Sequence, residues 1–194
     1  VVYCSRLALL PLPMKSRPVV PFVPLSPAEC AVRAQGHAPA LRRRLAAFLY
    51  EGVLLFGVVM VVGLIFGVIA GQRHALQYRQ GLQATVFVVL SLYFMWFWTH
   101  GGQTLAMKTW QLRIVSSDGA GLSLKQALMR YVSSWLWFVP ALVGAWLAGW
   151  HQSKWLYGAL FGWMAIYALL SWLHPQRQFL HDALCKTRLI DTRT

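Results

Sequence analysis

The sequence predicts an all-α membrane protein: a four-helix transmembrane bundle with a small cytoplasmic hairpin between its second and third helices. Three observations predict it. Of 194 residues 58% are apolar and only 12% charged, four long apolar stretches follow one another after residue 44, and the basic residues gather in alternate gaps between them. A soluble domain carries about 25% charged residues, so a water-exposed globule is excluded. The net charge of +13 has three candidate meanings: nucleic acid, an anionic bilayer surface, or topology signals.

Residues 1–40 hold seven of the nine prolines, Pro11, Pro13, Pro18, Pro21, Pro24, Pro27 and Pro39. Each removes an amide donor and fixes φ, so neither helix nor sheet propagates through them. The expectation is a disordered, Pro-rich cytoplasmic tail. Its one apolar run, Leu7 to Leu12, is broken by Pro11 and lacks a small-x-small cleavage site, against a signal peptide. Met14-Lys15-Ser16 reads as a start, which makes residues 1–13 an expected translation-start artefact.

The first span runs over about 45–70, its only charge Glu51; some 20 apolar residues cross a hydrocarbon core of roughly 30 Å. The second, 82–99, has no charge and ends in Tyr93, Trp96 and Trp98, suited to the headgroup boundary. The third is expected over 127–150, kinked at Pro140. The fourth covers 155–173 and stops at His174-Pro175. Between the second and third, Thr109 to Val115 alternates as a strand does, Asp118-Gly119 marks a turn, and Gly121 to Leu124 can return, which predicts a hairpin. Ser123 and Gln126 then form a capping box.

Fifteen Lys and Arg lie in the N-terminal tail, the central loop and the C-terminal tail, against three (Arg73, Arg79, Lys154) in the remaining gaps. Positive-inside orientation therefore puts both termini and the central loop in the cytoplasm, as an even number of spans requires. This accounts for most of the net charge. Nucleic acid drops out as a partner, since no binding module is visible; the expected partners are the bilayer and its anionic headgroups.

Glu51 stands out, because an ionisable carboxyl in an apolar helix costs a few kcal/mol unless paired, protonated or near water. Arg44, seven residues earlier, shares its helical face about 10 Å away. Two readings stay open: a proton- or cation-binding carboxylate facing the bundle, or an interfacial carboxyl paired with a basic residue of another helix. Gly63, Gly67 and Gly71, with Gly158 and Gly162 on the fourth span, have the four-residue spacing that lets helices approach closely; the expectation is internal packing, with a homodimer face as the alternative. No two histidines share a helical face at ligand spacing, and His181-Asp182, being adjacent, point about 100° apart. Cys4, Cys30 and Cys185 are odd in number and form no CxxC. No nucleophile elbow, Walker loop or dinucleotide fingerprint occurs. The expectation is no catalytic residue, no metal, no cofactor and no enzyme.

Three stretches together resemble the RDD family of small bacterial membrane proteins, named for an arginine and two aspartates. They are RRLAAFLYEGVLL, with Arg44 at the family arginine and Glu51 where an aspartate is usual; GQTLAMKTWQLRIV, residues 102–115; and RQFLHDALCKTRLI, with Asp182 at the second aspartate and Thr187 after it. The resemblance covers about 41–191, an RDD-like transmembrane domain. It departs at Glu51, one methylene longer than aspartate, and at Ala106, where glycine is more usual. What it implies is a bacterial inner-membrane location and three polar positions, Arg44, Glu51 and Asp182. Transport, including sodium or lithium exchange for protons, has been proposed for some members. Two functions follow as expectations. One is cation/proton transport through Glu51 and Asp182, which four helices would accomplish as a homo-oligomer; the other is a non-transporting scaffold or regulator in which Arg44, Glu51 and Asp182 form a structural network.

Overall fold

In the computed structural model, which describes residues 25–71, 78–150 and 152–193, helices dominate. Two of them, α2 (Leu41–Ile69) and α3 (Arg79–Thr99), are long and apolar enough to cross a membrane. At 1.5 Å per residue they extend about 44 and 32 Å, beyond a hydrocarbon core of about 30 Å. The most apolar stretch of α2 buries none of its residues within the chain. These two helices contain the expected first and second spans.

The third expected span is not one helix. Helix α5 (Leu124–Ser134) gives way to a 3-10 turn at Trp135–Trp137 and then to α6 (Val139–Leu147). The break comes before Pro140, which sits in the first turn of α6, where its missing amide breaks no helical bond. Nine residues make α6 about 14 Å long, under half the core. Helix α5 opens on the expected Ser123–Gln126 capping box and turns Ala127, Arg130 and Tyr131 inward; the Tyr131 hydroxyl donates to the Phe87 carbonyl of α3 at 2.9 Å. Helix α7 (Ser153–Leu170) matches the fourth stretch and packs on α6.

The expected local hairpin is also corrected. Strand β1 (Leu112–Ser116) pairs antiparallel with β2 (Thr187–Asp191), Leu112 facing Asp191 and Ser116 facing Thr187. The Asp118-Gly119 turn does close, the Gly119 amide donating to the Ser116 carbonyl and the Ser116 amide to that of Ala120, both at 2.9 Å. Three residues after Ala120, Ser123 caps α5, so no strand returns and the edge of β1 is left to β2, which buries Leu189 and Ile190.

The tail is ordered earlier than its prolines suggest. Residues 1–24 lie outside the described residues, but Pro27–Gln35 forms α1, capped by Ser26 with Glu29 closing a capping box. Pro27 occupies the first turn, where it does no harm, and no further proline intervenes before Pro39. Cys30 and Ala34 of α1 pack on Val115 and Ile190 of the sheet. Gly119 lets this happen: at φ +85, its missing Cβ would stand 2.3 Å from Ala31 Cα. Arg33 Nη1 donates to the Asp191 carbonyl at 2.6 Å and that of Arg193 at 2.8 Å. The segment before α2, the segment after α3 and the C-terminal strand are thus one assembly. Two short helices, α4 (Leu105–Thr109) and α8 (Leu180–Leu184), complete it.

Four of the five ridge glycines face open space among the described residues. At Gly63, Gly71, Gly158 and Gly162 no heavy atom lies within 4 Å of where a Cβ would stand. The close approach of α2 and α3 falls instead at Gly81, whose Cβ would meet the Phe66 ring at 3.2 Å. A glycine four residues from another marks where an approach is sterically allowed; which face the helix presents is decided by the larger side chains beside it.

Candidate functional site

Three polar groups are buried where α2, α5 and α8 converge. Asp182, on the first turn of α8, is 0% exposed. Arg130 approaches from α5 with Nε 2.9 Å and Nη2 2.7 Å from Asp182 Oδ1, and its guanidinium lies 4.3 Å from the Trp98 ring centroid. Thr187 Oγ1 at the start of β2 donates toward the same oxygen at 3.3 Å. Burial is the largest single influence and pushes the Asp182 carboxyl up, but the surrounding charges and hydrogen bond, those of Arg130 foremost, together outweigh it and hold the group below the usual range.

His181, next in the cluster, shares a hydrogen bond between Nδ1 and the Tyr167 hydroxyl at 2.9 Å, while its own amide donates to that hydroxyl at 3.1 Å. Burial lowers its imidazole to about 4, against the pull of the Asp182 charge. At neutral pH it is therefore an uncharged wall residue, and its Nε2, 3.6 Å from Asp182 Oδ1, forms no ion pair.

Arg44 is 4% exposed, with its guanidinium stacked 4.2 Å from the Phe179 ring centroid and Nη2 3.4 Å from Ser171 Oγ. Its Nε and Nη1 have no hydrogen-bond partner, and no carboxylate among the described residues lies within ion-pair distance. Glu51 is 8% exposed and is capped by two hydroxyls, Tyr93 at 2.8 Å on Oε1 and Thr104 on Oε2. Thr104 is itself the N-cap of α4, placed by the turn at Gly102. There φ is +71, a Cβ would meet the Ile114 carbonyl at 2.2 Å, and the Gly102 carbonyl accepts from the Ile114 amide at 2.7 Å.

The structure thus gathers Arg44, Glu51 and Asp182 around one region without making them one ion-pair network. Asp182 is served by Arg130, Glu51 by two hydroxyls, and Arg44 by neither carboxylate. Between them lies a partly open cavity of about 290 Å³. Arg44, Glu51, Arg130, His181, Tyr131 and Ser134 are among its lining, and the rest of its wall is chiefly apolar, from Leu45, Phe48, Leu55 and Phe94 to Trp135 and Phe138.

Four of the positions that close this arrangement, Arg44, Gly102, Thr104 and Asp182, lie along one continuous match. A model of the RDD family matches residues 38–186. The chain belongs to the RDD family. No curated protein and no solved structure is matched. In this RDD domain the family arginine stands beside the second acidic position without an ion pair to it, and Glu51 at the first is held by neutral donors. The sequence left Arg130 and Thr104 unassigned and gave Tyr93 to the headgroup boundary, whereas its hydroxyl donates to Glu51. Arg130 reads as one more loop cation until α5 is seen to bury the Ala127, Arg130 and Tyr131 face, a spacing of three and four residues that the capping box at Ser123 could have phased. Among the described residues no three His, Cys, Asp or Glu come together to hold a metal ion.

Proposed function

We propose that this RDD protein is a non-transporting scaffold or regulator of the bacterial inner membrane, whose buried polar groups hold its terminal segments onto the base of the spans. The observation that carries the reading is Asp182, fully buried, absent from the cavity wall and committed to Arg130 and Thr187. A carboxylate that exchanges ions needs access; this one has the arrangement of a structural pair. Joining α1, β1 and β2 supports one shared side for both termini and the central loop, and the excess of Lys and Arg there makes that side cytoplasmic. Helices α6 and α7, the first too short to cross, then enter and leave from that same side as a hairpin beside α2 and α3, which keeps the number of crossings even. The basic face so formed is suited to anionic headgroups or an acidic partner protein.

Glu51 favours a second reading. It is the carboxylate that lines the cavity, and its two hydroxyl neighbours are oxygen donors of the kind that surround a proton or a small cation. Cation-dependent proton flux in vesicles reconstituted with the purified chain separates the two. The scaffold reading expects no sodium- or lithium-driven pH change above empty vesicles and a lower unfolding temperature for Asp182→Asn. Flux that Glu51→Gln abolishes, in protein that still folds, would overturn it in favour of transport.

A further inference from the structure

The cavity has an orphaned cation at one end and an apolar wall along the rest. We propose that it is a binding site for a single-chain anionic amphiphile, a long-chain fatty acid, with its carboxylate on Arg44 and its acyl chain along α2. The inference does not rest on the scaffold reading, since a transporter could hold such a ligand equally well.

Charge accounting selects the head group. Of the charged side chains lining the cavity, Arg130 is committed to Asp182, and both oxygens of Glu51 are capped by hydroxyls. Arg44 carries two fully buried donors without a partner, Nε and Nη1, on a residue that is 4% exposed. A buried donor without a partner costs about 1–3 kcal/mol, more when charged, and a carboxylate supplies a charge-assisted partner. The enclosure of Arg44 favours a small head group over a phosphodiester.

Dimensions select the tail. On α2 the wall runs from Arg44 to Leu55, which at 1.5 Å per residue is about 16 Å, the depth of one leaflet of a core roughly 30 Å thick. About 290 Å³ is at the lower end for small-molecule pockets and holds one chain rather than two. Gly52 lines the same wall with no heavy atom within 4 Å of where its Cβ would stand. A water joining Arg44 to the unpartnered Asp182 Oδ2 is the competing arrangement and predicts that no fatty acid is retained.

The test is native mass spectrometry of the full chain released from neutral maltoside micelles with palmitate or its uncharged methyl ester. The expected result is one palmitate per chain, at least tenfold more occupancy than methyl palmitate, and at least a tenfold loss in Gly52→Leu, which fills the groove without touching a charge. Arg44→Gln should lose palmitate and Arg44→Lys keep part of it; if Arg44→Gln does not fold, the ester and Gly52→Leu carry the test. Equal retention of acid and ester, undiminished palmitate in Gly52→Leu, no retained palmitate, or phosphatidylglycerol held in its place would each overturn the proposal.

Discussion

Arg130 grips a single oxygen of Asp182: both Nε at 2.9 Å and Nη2 at 2.7 Å address Oδ1, and Oδ2 is left without a partner. The pair joins α5 to α8 across 52 residues of sequence, with side chains only 7% and 0% exposed. Removing one member of such a buried pair leaves the other charge unpaired, at a cost of about 3–5 kcal/mol, whereas replacing both by apolar side chains is often neutral. Arg130→Met and Asp182→Leu should each lower the unfolding temperature steeply in detergent, and the double variant should recover most of the loss. Additive single effects would show that the two side chains do not act as a pair.

Acid should loosen the same junction in a defined window. The His181 imidazole is lowered to about 4 in the folded chain from an ordinary 6.5, so below pH 6.5 the unfolded chain binds the extra proton and stability falls as pH drops toward 4. Between pH 7 and 5 the loss is about 2 kcal/mol. Unfolding temperature against pH measures it, and His181→Gln should flatten that slope. The depressed carboxyl of Asp182 acts further down, its stabilisation being lost only as pH falls below about 4 toward its folded value.

Gly102 and Gly63 should separate sharply when changed to alanine. At Gly102 a Cβ has both a left-handed backbone and the Ile114 carbonyl against it, so Gly102→Ala should cost about 2–3 kcal/mol. Gly63→Ala, facing open space within the chain, should stay within about 0.5 kcal/mol. Thermal unfolding of the purified variants decides. A large loss in Gly63→Ala would show that the ridge is covered, by a second copy in the membrane.

The hold on α1 is concentrated in Arg33, whose two hydrogen bonds reach the backbone of β2 and the residues after it. Each charge-assisted bond contributes about 1.5–3 kcal/mol. Arg33→Ala should raise amide hydrogen exchange across Pro27–Gln35 at least tenfold and leave α3 and α5 unchanged. Exchange that rises everywhere would mean α1 is integral to the fold.

What the sequence revealed follows the range over which each signal acts. The capping box at Ser123 and the apolar runs of α2 and α3 are local, and both are where they were expected. The partner of β1 is some seventy residues away, and nothing in residues 109–124 distinguishes a strand that folds back from one that waits; Thr187–Asp191, two polar residues, two apolar and an aspartate, has no alternation to announce it. Asp182 and Glu51 were visible as odd residues in their surroundings. Their partners were not, because Arg130, Tyr93 and Thr104 are ordinary in composition and become special only when α5 and α4 are folded under the spans. The kink assigned to Pro140 failed for a related reason: proline is disruptive inside a helix and welcome at its start, and the chain chose the start.

Strand β1 cannot close when it is made. Its partner leaves the ribosome much later, and at about 5–20 residues per second the roughly seventy residues between Ser116 and Thr187 keep its edge open for several seconds. During that time α1 lacks the Ile190 face and the Asp191 carbonyl that anchor it, and Arg130 has no carboxylate. A chain cut before Asp182 therefore carries α2 through α7 and yet displays a bare strand edge, a loose amphipathic segment and an unpaired arginine. Residues 182–191 thus act as a seal on segments made long before them, hiding the strand edge, the helix face and the arginine together.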